Sequence, residues 1–341
     1  MTLDRRSLLA GGAALAAAGL THGPAAAQTA PGIQVLHHAR RWVDELPSAQ
    51  RATALFDWND PLRARWNYFG ARAKPGLRLE QLGVRDHERA LTLLARLLGP
   101  EGMEKFDRVR LLQEVLRERG SGPADRNADR FSFALFGLPA EDRPWGLRVE
   151  GHHLSLSFTM IGDQVVSTTP SSFSANPNAV RGGRHDGLVA LTVEHAGAAR
   201  LRRDLSPENA ARATIAAQPY RNILTTAVRE GRLFGTRPEG VALGDLHPAQ
   251  RDLAMRIVGA YTSDHLVAPL AAAEAARIAD ADPEAIHLGW AGGSEVGQQM
   301  YYRLHGPTFV IELATNPPEP DHLHTIRHDP ASHLGRHAVE A

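Results

Sequence analysis

Residues 300–329 read MYYRLHGPTFVIELATNPPEPDHLHTIRHD, and the fold follows from how their side chains alternate. Successive side chains of a strand point to opposite faces, so Tyr301, Arg303 and His305 share one face while Met300, Tyr302 and Leu304 share the other. Gly306-Pro307 marks a turn. Beyond it Phe309, Ile311 and Leu313 make an apolar face, with Thr308, Val310 and Glu312 opposite, which sets a carboxylate in a strand that otherwise reads as buried. Asn316-Pro317-Pro318-Glu319-Pro320 breaks the alternation, and Asp321-His322-Leu323-His324-Thr325-Ile326 resumes it. Three short strands result, the last carrying two imidazoles on one face.

Working outward, residues 145–161 also read as strand, WGLRVEGHHLSLSFTMI. His152 runs in phase with Leu154, Leu156 and Phe158, and His153 with Ser155 and Ser157, so His153 is the better placed of the two to face a polar site. Further strands are expected at 131–138, 164–169 and 287–291. Helical spacing appears over 33–58, interrupted by Pro47, then at 87–98, 106–116, 249–261 and 269–278, and Ser206-Pro207 opens another helix in N-cap then N1 order. No repeat is legible in the residues. Strand blocks separated by helices predict an α+β fold: a largely antiparallel or mixed sheet from 131–169 and 287–327, covered by helices.

The chain has 341 residues, 43% of them hydrophobic and 22% charged, enough for a sizeable core. Lys+Arg and Asp+Glu both number 38, and no basic block stands out, which argues against nucleic acid as a partner. Lysine occurs only at Lys74 and Lys105, neither in a phosphate-binding loop. Cysteine is absent, so any metal site must use nitrogen and oxygen. The N-terminus carries Arg5-Arg6, an apolar run over 8–20 and small residues ending at Ala27, the pattern of a twin-arginine signal peptide over 1–27. Asp4 and Leu8 depart from the usual twin-arginine pattern, so the general secretory route stays open beside the Tat export machinery. The run is too short for a stable membrane span of about 20 residues. The mature protein is expected in the periplasm or secreted, as one domain over 28–330 followed by a tail at 331–341, in which His333 and His337 could bind metal adventitiously.

The histidines point to a divalent metal ion, because neutral imidazole suits zinc, iron and copper. His152 or His153, with His322 and His324, would supply the ligands, and Glu312 a ligand, an orienting group or a general base. Arg303 could hold a substrate carboxylate or phosphate, or pair with Glu312. A water-activating hydrolase, a metal-dependent oxidoreductase, a non-enzymatic metal- or ligand-binding protein and an inert set of core histidines all fit these residues; the substrate, small molecule or peptide, is not encoded in any motif. Glu150 with Glu312 is a further acid/base candidate, and Ser155 or Ser157 a weak nucleophile. HExxH and GxSxG patterns are absent.

Phe136-Gly137, Trp145-Gly146, Gly151-His152-His153-Leu154-Ser155-Leu156, Ala175-Asn176-Pro177, Trp290-Ala291-Gly292, Tyr301-Tyr302-Arg303, Gly306-Pro307-Thr308-Phe309, Ile311-Glu312 and His322-x-His324 occur in that order. Together they resemble the DUF3500 family, bacterial proteins of unknown function, over roughly residues 42–329. The resemblance implies an exported protein and no particular chemistry. Arg327-His328-Asp329 departs from the family's Trp-Arg-Asp, which makes His328 an additional ligand candidate.

Overall fold

The computed structural model describes residues 34–70, 72–227 and 232–336. Residues 1–27, expected to be a signal peptide, and His337 lie outside these residues. Among them run β1 (Leu55–Phe56), β2 (Leu77–Arg78), β3 (Ser132–Phe136), β4 (Pro144–Gly151), β5 (Leu154–Ile161), β6 (Gln164–Ser167), β7 (Ser171–Phe173), β8 (Thr214–Ala216), β9 (Val241–Ala242), β10 (His287–Gly292), β11 (Met300–Gly306), β12 (Phe309–Asn316) and β13 (Glu319–His328). All join one mixed sheet in the order β1-β3-β4-β5-β7-β13-β12-β11-β10-β8, with β2 on β3, β6 on β5 and β9 on β10. The helices are α1 (Val35–Glu45), α2 (Ser48–Ala54), α3 (Val84–Leu94), α4 (Pro100–Glu118), α5 (Ala198–Asp204), α6 (Pro207–Ala213), α7 (Pro248–Tyr261) and α8 (Ala268–Ala279). This is an α+β fold.

The sheet reads the same from both ends, because the chain repeats one plan twice. The succession α1-α2-β1-β2-α3-α4-β3-β4-β5-β6 is followed by α5-α6-β8-β9-α7-α8-β10-β11-β12-β13. Strand registers match as well. Leu77 pairs with Phe133 as Val241 pairs with Leu288, Arg148 with Ser157 as Arg303 with Glu312, and Ile161 with Gln164 as Asn316 with Glu319. The edge strands β1 and β8 both run parallel to their neighbours, β3 and β10. The two halves meet where β7 pairs antiparallel with β13 through Ser171 and Arg327. A local two-fold thus passes near that pair. The repeat escaped the sequence reading because burial and register require only apolar character at most of these positions, and many residue pairs satisfy that equally well.

One glycine pair does mark it. Gly76 and Gly240 precede β2 and β9 with φ of 94° and 111°, and a Cβ at either would collide with a neighbouring strand's carbonyl, that of Phe133 or Leu288. Only glycine meets both demands.

One face of the sheet packs against the helices. Trp42, Leu93, Phe106, Ile257 and Leu270 meet Leu147, Leu156, Tyr302, Leu304, Ile311 and Leu323 in a single core. On the opposite face a smaller cluster joins Tyr301, Ala314 and Ile326 to Trp66, Tyr68 and Ile223 from two connecting segments. The polar residues of β12 and β13 face this second cluster, so the candidate site forms there.

Two details differ from the sequence reading. The strand expected over 145–161 is broken by a two-residue turn, His152-His153, between the paired Gly151 and Leu154. His153 adopts φ of 68° there, so its direction is set by the turn and not by alternation. Ser332, His333, Leu334 and Gly335, which fall in the expected tail, are buried.

Candidate metal centre

His153 reaches the site from the β4–β5 turn, which is fastened on both sides: its N–H donates to the Tyr68 carbonyl at 2.9 Å and its carbonyl accepts from Ser174 N–H at 2.8 Å. His322 and His324 stand two residues apart on β13. The Nε2 atom of His322 lies 3.0 Å from Nε2 of His153 and 3.1 Å from Nε2 of His324. All three rings can offer one nitrogen within 4.8 Å of the others. Nitrogens bound to one zinc ion at 2.0–2.1 Å are about 3.3 Å apart in a tetrahedral shell, so the observed spacing fits a shared ion. His153 and His324 are buried, and His322 reaches the surface with 16% of its side chain exposed. Any opening to solvent is therefore on the His322 side.

Protonation favours the same reading. Burial lowers the pKa of all three, with the neighbouring imidazoles adding to it for His153 and His324, and His324 is brought to about 3. Neutral rings carry one N–H and one lone pair each. The tautomer of His324 is fixed by Asn222, whose Oδ1 accepts from Ile223 N–H at 2.8 Å and from the Tyr68 hydroxyl at 3.2 Å, and lies 2.9 Å from His324 Nδ1. An acceptor there places the proton on Nδ1 and leaves the Nε2 lone pair aimed into the cluster. Two carboxamides, Asn176 and Asn316, stand 3.2 and 3.3 Å from Nδ1 of His322, and a half-turn of either amide presents oxygen to that nitrogen. Nδ1 of His153 is buried without a hydrogen-bond partner among the described residues.

Glu312 does not join the three histidines. Fully buried, it accepts from Leu224 N–H at 2.8 Å, Thr225 N–H at 2.9 Å, the Tyr301 hydroxyl at 2.7 Å and the Thr225 hydroxyl. Its oxygens are thereby occupied in anchoring the segment that carries Asn222. Arg303 lies opposite Glu312 in register, yet its guanidinium pairs with Glu239 and not with Glu312. His152 does not join the cluster either. Its ring stacks on His153 at 3.8 Å between centroids and turns Nδ1 to Arg126 and Gln113, and burial lowers its pKa to about 3. His328 meets His333 instead, Nδ1 to Nδ1 at 3.4 Å. Glu150 accepts from Asn67 N–H at 2.7 Å and from the Ser155 hydroxyl at 2.9 Å, which ties that serine to a carboxylate and not to a histidine.

Sequence reasoning missed Asn222, Asn316 and Tyr68. Asn176 stood in a quoted motif without a role. A lone asparagine between Arg221 and Ile223 in a connecting segment carries no pattern, so Asn222 had no signal to find.

These features define an α+β protein with a tandem-repeated sheet and, among the described residues, one cluster of three histidines on the face opposite its α-helices. The chain belongs to the DUF3500 family, a family of proteins of unknown function, whose model matches residues 28–336. No curated protein and no solved structure matches the chain.

Proposed function

We propose that the protein is an exported metal-dependent enzyme, with hydrolysis as the favoured reaction and zinc as the favoured ion. The convergence of three Nε2 atoms carries this reading. Three neutral nitrogen donors leave a position for water and keep the net charge of the centre at two, which is the condition for acidifying bound water to near neutral pH. An iron site of two histidines and one carboxylate fits less well, because Glu312 is engaged elsewhere. His153 binds from one half of the sheet and His322 and His324 from the other, while Asn222 orients the third ring. Export rests on the arginine pair and apolar run at the N-terminus.

Elemental analysis of the purified full chain tests the reading, alongside His322→Ala, His324→Ala and His153→Asn, the last because asparagine tolerates positive φ. About one zinc per chain in the parent and none in the variants is expected, with metal-dependent hydrolysis of 4-nitrophenyl acetate in the parent alone. Metal retained in all variants removes the site. Stoichiometric metal without ester hydrolysis favours a binding protein. Mass measurement of the mature chain from the periplasm, beginning at Gln28, checks export.

A further inference from the structure

Behind the histidine cluster lies a cavity of about 360 Å³, lined by Arg72, Lys74, Arg78, Arg126, Arg130 and His152 among others, and by no aspartate or glutamate. Five cations around one small cavity repel one another unless something negative sits between them. Arg78 and Arg130 have carboxylates outside the cavity, Glu80 at 3.1 Å and Asp125. Arg72, Lys74 and Arg126 have none within ion-pair distance among the described residues. Lys74 is held by neutral acceptors, the Phe69 carbonyl at 2.6 Å, the Arg72 carbonyl at 3.2 Å and the Asn67 side chain. Arg126 donates from Nη1 to Gln113 Oε1 at 2.8 Å and to His152 Nδ1, and its Nε is buried without a partner.

His152 also lines this wall, with Nδ1 turned to Arg126 and lying 3.0 Å from Gln113 Oε1. The fold does not require the charge. At the corresponding places of the second half, Arg78 is replaced by Ala242 and the turn residue His152 by Pro307.

We infer that this cavity is a binding site for a small molecule bearing oxyanion groups, carboxylate or phosphate. Guanidinium and ammonium groups around the cavity match such a ligand, and the volume is in the range of small-molecule sites. The cavity is separated from the three-histidine cluster by the thickness of the His152 ring, so the inference does not depend on a metal being bound.

Calorimetric titration of the full chain with citrate and with pyrophosphate tests it and separates carboxylate from phosphate as the preferred group. Saturable binding is expected for at least one probe, weakened at least tenfold in Arg126→Gln and in Lys74→Met and retained in His322→Ala. Arg72→Gln, at an exposed position, covers the case in which Arg126→Gln fails to fold, and should weaken binding at least threefold. No saturable binding of either probe, unchanged affinity in the folded cavity variants, or loss of binding in His322→Ala alone overturns the inference.

Discussion

Asn222 illustrates how much of the site depends on one side chain that binds nothing itself. Its Oδ1 accepts from a backbone N–H and a tyrosine hydroxyl and faces Nδ1 of His324, which selects the tautomer with a free Nε2 lone pair. On the proposed zinc centre, Asn222→Leu should weaken metal binding about 10- to 100-fold, read by competition with a chromophoric chelator. Glu312 acts one step further back, through the four hydrogen bonds that anchor the same segment. Glu312→Gln sets an amide donor against N–H and O–H donors, and a loss of about 3 kcal/mol is expected in urea denaturation. Zinc stoichiometry at saturating metal should stay at one, which separates an anchoring carboxylate from a ligand.

At the scale of elements, the paired glycines before β2 and β9 report on the repeat. Both have positive φ, and both lack room for a Cβ against the carbonyl of a neighbouring strand. Gly76→Ala and Gly240→Ala should each cost about 3 kcal/mol or more, by similar amounts, in denaturant midpoints. A large cost at one position and none at the other would contradict their equivalence. The β4–β5 turn is another case in which geometry overrides pattern. His153 was singled out by its phase with Ser155 and Ser157, but the residue that reaches the cluster does so from a left-handed turn position. Alternation picked the histidine that lies beside His322 and His324, but for a reason that the turn replaces.

For the whole molecule, buried histidines should contribute to the response to acid. Burial lowers the pKa of His195 to about 4, below its unfolded value near 6.5. The native state thus disfavours its protonated form. Stability from this group is complete above pH 6.5 and is lost as pH falls toward 4, by about 2 kcal/mol at pH 5. Thermal unfolding of chelator-treated protein should show a lower midpoint at pH 5 than at pH 7.5, and His195→Leu should reduce the difference. An unchanged difference in a folded variant would assign the acid response to other groups.

Local chemistry made much of this protein legible from its residues. Period-two alternation located the long strands, Pro47 parted α1 from α2, and Ser206 caps α6 by accepting from Asn209 N–H at 3.2 Å. The His-x-His spacing placed two imidazoles together, because a strand leaves their relation no choice. Contacts between distant segments carried no such constraint. Which imidazole completes the cluster, why Glu312 is withheld from it, the repeat that turns one half of the sheet onto the other, and the cations gathered behind His152 all depend on tertiary pairing of residues far apart in the chain.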